Sequence, residues 1–162
     1  MATFIFPVAM MAQTAVKAYT ILNGRVRIEL PVEFNLKSPE KNNEAEWTDK
    51  NDSTLLLYHL SPDSITDNDI PAFIDDQIKL AKQDDKTFEY LDDGIYLQEG
   101  KNIGYLKYSS EEFRRTYFNY IFFISVDNRL LGITFICFFD QRKKWEPIVD
   151  LIANSIRLKE KD

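Results

Sequence analysis

The stretch TYFNYIFFISVDNRLLGITFICFF, Thr116 to Phe139, decides the fold class, because it sets two long apolar segments side by side with apolar residues on both faces of each. A sheet with one face in water alternates apolar and polar residues. Here Phe118, Tyr120, Phe122 and Ile124, and then Leu131, Ile133, Phe135 and Cys137, form one strongly apolar set. The opposite sets, Tyr117, Asn119, Ile121, Phe123 and Ser125 with Leu130, Gly132, Thr134, Ile136 and Phe138, are mixed yet too apolar to stand bare. With Asp127-Asn128 at the turn, the pattern predicts a long hairpin covered on both faces, and any part the chain leaves uncovered is a candidate binding surface.

Working outward, Asn23-Gly24 suits a type I′ turn between strands over Tyr19 to Leu22 and Arg25 to Leu30, where Val26, Ile28 and Leu30 alternate with charged residues. Lys37 to Asn43 reads as loop, Ala45 to Thr48 as a short strand, and Thr54 to Leu60 ("TLLLYHL") as a central one. A helix follows, with Asp69 as cap, Pro71 in the first turn, and Ile70, Phe73, Ile74, Ile78 and Ala81 at helical spacing. Phe88 to Leu91, Ile95 to Glu99 and Ile103 to Ser109 predict a three-stranded meander through Asp93-Gly94 and Gly100-Lys101-Asn102. A second helix starting at Asp140 carries Trp145, Ile148, Val149, Ile152 and Ile156 on one stripe, with Pro147 within its first two turns. The class is α+β: a curved, mostly antiparallel β-sheet with two main amphipathic helices. Whether both helices cover one face, or each part of a different face, stays open.

The chain of 162 residues suffices for one domain, placed at 19–162 behind an apolar segment, 1–18. The run Phe4 to Ala12 has two readings: the end of a signal peptide whose start lies upstream, or an arm packing on the domain. Localisation follows from that choice, cytoplasmic as encoded and periplasmic or secreted if residues 1–12 are a signal remnant. The run is too short to span a bilayer as a helix. A formal charge of −6 argues against nucleic-acid partners. Cys137, the only cysteine, has no partner for a disulfide and falls where a small core residue belongs.

No cofactor, metal or catalytic constellation is readable. His59 is the one histidine, embedded in "LLLYHLS", and one such group without a partner is a strand or surface residue far more often than a base. A zinc site would need more His or Cys than the chain contains. Asp63, Asp67 and Asp69 lack the Gly and terminal Glu of a calcium loop, and helix capping accounts for them. From Asp49 to Asp76 seven aspartates face only Lys50, so this region equals the charge of the whole chain. Its members Asp63, Asp67, Asp69, Asp75 and Asp76 are a candidate patch for a basic partner, against the blander reading of a solvated face. Arg142 to Trp145 ("RKKW") is a small basic cluster at a helix start, and its tryptophan belongs to the core stripe.

The strand GRVRIELPVEF, the middle helix, the meander GIYLQEGKNIGYLKY, the aromatic hairpin and the closing WEPIVDLIANSIRL together resemble the Mog/PsbP-like superfamily over Tyr19 to Leu158. That group includes Ran-binding Mog proteins, the PsbP subunit of photosystem II, and bacterial DcrB-like and Eag-type proteins. The resemblance implies a binding protein, not an enzyme, and its Eag-type branch implies a chaperone for apolar helices of type VI secretion effectors. The expectation is therefore a non-enzymatic protein-binding domain that holds an apolar helix or peptide on the second sheet face, through Tyr105, Tyr117, Asn119, Ile121 and Phe123. Homodimerisation through that face is a variant. The alternative is an exported envelope or immunity-type protein that binds a basic partner through the acidic region.

Overall fold

The computed structural model describes residues 15–159. Strands β1 (Val16–Ile21) and β2 (Val26–Pro31) form a small sheet completed by β10 (Arg157–Leu158), in the order β1-β2-β10. The remaining strands, β3 (Asn35–Lys41), β4 (Glu44–Thr48), β5 (Thr54–Ser64), β6 (Glu89–Gln98), β7 (Lys101–Glu112), β8 (Arg115–Val126) and β9 (Arg129–Phe138), form a seven-stranded sheet ordered β3-β4-β5-β9-β8-β7-β6. All pairings among the described residues are antiparallel. Helix α1 (Ile70–Asp84) joins β5 to β6, and α2 (Arg142–Ser155) follows β9. The fold is α+β, as the sequence predicts.

The hairpin β8–β9 occupies the middle of the large sheet and explains its own composition. Phe118, Tyr120, Phe122, Ile124, Leu131, Ile133, Phe135 and Cys137 are all buried in the main core, beneath α2 and the small sheet. Each large side chain removed from water there contributes roughly 1.5–3 kcal/mol before entropy is counted. Trp145 of α2 is fully buried between Phe34 (ring centroids 5.6 Å apart) and Phe135 (5.9 Å). Ser155 ties the end of α2 to β2 by accepting the Glu29 amide at 2.9 Å. Burial pushes the Cys137 thiol up to about 12, with Asp140 adding to the effect, so it is a core residue without nucleophilic character. The two helices lie on different faces: α1 packs on the other side of the sheet, where Ile70 and Ile74 join Leu106, Phe123 and Leu130 in a second, smaller core.

Several boundaries differ from the sequence reading, each for a local reason. The stretch from Lys37 is strand: β3 is an edge hairpin partner of β4, exposed at every residue and therefore without apolar periodicity. The two strands placed either side of Asp93-Gly94 are one strand, β6, because Gly94 is no turn; the ring of Tyr105 on β7 lies over it, and a Cβ there would meet that ring at 2.8 Å. Asp69 is the N-cap residue of α1, with Pro71 in the first turn as expected, but its side chain makes no cap bond to that helix. A 3₁₀ turn (Asp67–Asp69) precedes the helix, and the Asp69 carboxylate reaches back to accept the Thr66 amide at 2.9 Å and hydroxyl at 2.5 Å. A similar 3₁₀ turn (Phe139–Gln141) delays α2 from Asp140 to Arg142. The segment 1–14 lies outside the described residues.

Candidate functional site

Among the described residues, the face carrying α1 is only half covered. Reading across paired strands, one row of side chains on this face runs Glu44 (β4), His59 (β5), Gly132 (β9), Phe123 (β8), Gly104 (β7). At Gly104 the missing Cβ makes room for α1: a Cβ would stand 2.6 Å from Ile70 Cγ2 and 2.6 Å from Ile74 Cδ1. At Gly132 a Cβ would meet only the His59 carbonyl oxygen, at 3.9 Å. A glycine inside a strand loses packing and chain entropy, and is characteristic of places where another backbone comes close. Gly104 is filled by side chains of α1, whereas no helix side chain among the described residues comes within 4 Å of a Cβ at Gly132.

Around Gly132 the uncovered half is a stripe of half-buried residues. Leu57, Thr134 and Ile121 lie in one paired row and Leu55 and Ile136 in the next, followed by Phe138 with Tyr117, whose rings lie 5.4 Å apart. Acidic Glu44 and Glu46 bound it on the β4 side, and Arg115, over the Phe138 ring, closes one end. On the other flank stands α1. Phe73 packs edge-on against Phe123 with ring centroids 5.2 Å apart, so the side of α1 carrying Phe73, Gln77 and half-exposed Leu80 looks toward the gap.

The residues assigned to this face from sequence divide. Tyr117 and Ile121 lie half-buried in the stripe. Phe123 and Asn119 share the face but are not accessible: Phe123 is 6% exposed beneath α1, and Asn119, 5% exposed, donates to Ser110 Oγ at 3.0 Å. Tyr105 belongs to the opposite face, because its β7 position pairs with Phe122. There it stacks on Tyr96 at 4.9 Å and contacts Tyr120. The error came from reading β7 without its register to β8. Gly132, Thr134 and Ile136 lie on the second face, where their alternation places them, whereas the sequence reading did not join Leu55 and Leu57 to it, although the alternation of "TLLLYHL" marks those two as one face.

Behind Tyr105 lies a polar cluster that sequence reading did not find. Lys107, with its side chain 8% exposed, places Nζ 2.9 Å from Glu146, 3.5 Å from Asp150 and 3.9 Å from Asp92. The ammonium also lies over the rings of Tyr120 (4.5 Å) and Tyr105 (5.3 Å). Tyr120 donates to Asp150 at 2.7 Å, and the Tyr96 and Tyr120 hydroxyls are 2.7 Å apart. Burial pushes the Lys107 pKa down, but Glu146 and Asp150 outweigh it and raise the pKa overall. Burial likewise works to raise the Glu146 carboxyl, and Arg142 and Lys107 hold it below the usual range. The cluster pins α2 to β6, β7 and β8, and its acids are committed to Lys107, Tyr120 and Arg142. Arg142 of the basic cluster is thereby an intrahelical partner of Glu146, at 2.7 Å.

The aspartates of the acidic region serve local structure. Asp67 accepts the Asn102 amide at 2.9 Å, Asp69 binds Thr66, Asp76 pairs with Lys79 at 2.9 Å and Asp63 accepts from Ser61 at 2.6 Å. Asp75 is exposed on α1. His59 is exposed on β5 with Nδ1 2.5 Å from Glu44. Among the described residues no three His, Cys, Asp or Glu side chains converge as a metal site, and no helix is long and apolar enough to cross a membrane.

No family model and no curated protein matches the sequence significantly. Solved structures do match the fold. Cyanobacterial PsbP (CyanoP) from Synechocystis superposes with a TM-score of 0.59 at 13% identity, over 93% of this chain and 96% of that one. The Ran-binding protein Mog1p of Saccharomyces cerevisiae gives 0.59 at 9% identity, over 90% and 96%. LpqN, involved in cell envelope biogenesis of Mycobacterium tuberculosis, gives 0.56 at 10% identity, over 90% and 91%. With the sheet order, the two helices and this near-complete mutual coverage, the chain has a Mog/PsbP-like fold.

Proposed function

We propose that this domain is a non-enzymatic protein-binding module that holds an amphipathic helix of a partner beside α1, over β9 and β5. The observation that carries it is the glycine pair. Gly104 and Gly132 stand in one row two strands apart, about 9–10 Å at ordinary strand spacing. Packed helices lie roughly 8–10 Å apart. A second helix seated on Gly132 as α1 is seated on Gly104 would therefore pack on the flank of α1 and bury Leu55, Leu57, Ile121, Ile136 and Tyr117. Acidic Glu44 and Glu46 along one side favour basic residues beside the apolar face of that helix. Shielding such a face from water is chaperone-like binding, which the resemblance to Eag-type proteins also favours. The Ran-binding activity of Mog1p supports a protein partner.

The test is site-specific photo-crosslinking of the tagged full chain in its native cells, with the reactive residue at Ile136 or, as control, at exposed Leu151 on α2. Expected is an adduct at Ile136 with an amphipathic helical segment of one protein, absent at Leu151 and lost in Gly132→Leu, which fills the seat. An adduct with a second copy would replace the partner by homodimerisation through the same face. No adduct at Ile136, or the same adducts at both positions, would sink the proposal.

A further inference from the structure

We propose that a cavity at the opposite end of the molecule binds a small organic anion, an acidic head group on a short apolar body. The cavity, of about 610 Å³, lies where the start of β2, the β6–β7 turn, the β8–β9 turn and the C-terminal strand meet. That volume falls within the range of small-ligand sites, and it needs no partner helix to form. Its floor is apolar: Ile103, Val126 and Ile156, all buried, with Leu158 beside them.

The charges on its walls are unequal in availability. Three acids line it, and each is committed. Asp127 pairs with Arg25, Glu99 lies 3.2 Å from Arg157, and Asp67 accepts the Asn102 amide. Two lysines line it as well, Lys101 and Lys159, and neither has a carboxylate partner among the described residues. The Lys159 backbone N–H donates to the Arg25 carbonyl at 2.8 Å, which fixes this lysine at the rim. Arg25 itself is held by Asp127, and its buried Nε has no acceptor. Lys101 and Lys159 are therefore the cations of this lining that are available to an acidic head group. Lysines over an apolar floor select an amphipathic anion over a bare ion or a neutral molecule, because each half of such a ligand meets its match.

The test is a titration of the isotope-labelled full chain by NMR, with hexanoate, hexan-1-ol and inorganic phosphate as separate probes. Hexanoate is expected to shift the amides of Lys101, Ser125 and Asn128 saturably, with hexanol and phosphate each at least about tenfold weaker. A Lys101→Gln/Lys159→Gln double variant should bind hexanoate about tenfold more weakly while keeping the wild-type urea midpoint. Absence of saturable shifts, hexanol binding as well as hexanoate, phosphate binding as well as hexanoate, or a double variant with undiminished binding would each overturn the assignment. Gly132→Leu should leave the titration unchanged, so this site and the helix seat succeed or fail separately.

Discussion

Two alanine substitutions in one row of the sheet should move stability in opposite directions. In Gly104→Ala the new Cβ would stand 2.6 Å from Ile70 Cγ2 and Ile74 Cδ1. The Ile74 methyl is the far end of a flexible side chain, but Ile70 Cγ2 is fixed to a β-carbon, and both residues are almost fully buried. Helix α1 must therefore shift outward. Overpacking of this kind costs about 1–3 kcal/mol, offset by about 0.5–1 kcal/mol from removing glycine from a strand. The net expectation is a loss of about 1–2 kcal/mol, or a urea midpoint lowered by about 0.5–1 M. Gly132→Ala meets only the His59 carbonyl at 3.9 Å, so it should keep the gain alone, about 0.5 kcal/mol. Equilibrium urea unfolding followed by tryptophan fluorescence suits the question, since Trp47 and Trp145 are both buried. A Gly104→Ala midpoint at or above wild type, or equal shifts in the two variants, would refute the idea that one seat is filled and the other vacant.

Lys107→Met should destabilise the domain by about 2–3 kcal/mol, less than for a fully buried pair because Asp150 and Asp92 are more than a third exposed and Arg142 still holds Glu146. The folded Lys107 pKa is raised above its ordinary 10.5 and that of Glu146 lowered below 4.5. Their contribution is thus complete between those ordinary values, fading as pH rises through the folded Lys107 pKa or falls through that of Glu146. The difference in urea midpoint between wild type and Lys107→Met, measured across pH, should follow that plateau; a difference constant into both extremes would contradict it. At the β7–β8 turn, Phe113 and Arg114 both adopt left-handed backbone (φ 50° and 62°), and Phe113 is 86% exposed. Replacing the pair with Asn-Gly, which favours this turn, should stabilise by about 1 kcal/mol. A thermal midpoint that is unchanged or lower would show that the tip conformation carries no strain.

Fold and function were unevenly legible in the sequence. The central hairpin announced itself because eight alternating positions are apolar, seven of them large, and the opposite positions, too apolar to stand bare, required cover on the second face as well. The edge strand β3 was invisible for the complementary reason: with every residue exposed, nothing in its sequence obeys a period. Gly94 looked like a turn because a glycine beside aspartates usually is one, and only the cross-strand ring of Tyr105 reveals its packing role. The same limit governed the site. Tyr117 and Ile121 followed from alternation within one strand, whereas Tyr105 failed because its face depends on pairing to β8, which a single sequence does not state. Lys107 was unreadable as a buried cation, since its partners are contributed by β6 and by α2, 39 and 43 residues later for Glu146 and Asp150.

The outer strands of the large sheet bear on how copies of this chain can meet. A bare strand edge is an open template for pairing with a neighbour, and natural sheets blunt it with proline, charge and irregular register. β3 carries Lys37, Pro39, Glu40 and Lys41, and its pairing to β4 slips twice, between Leu36 and Ser38 and between Ser38 and Lys41. At the far side β6 carries Glu89, Asp92 and Asp93, and its register slips between Tyr90 and Asp92. Both rims are thereby protected against continuous β-sheet growth, and the greasy centre of the sheet can leave part of one face uncovered without inviting fibrous self-assembly from its margins.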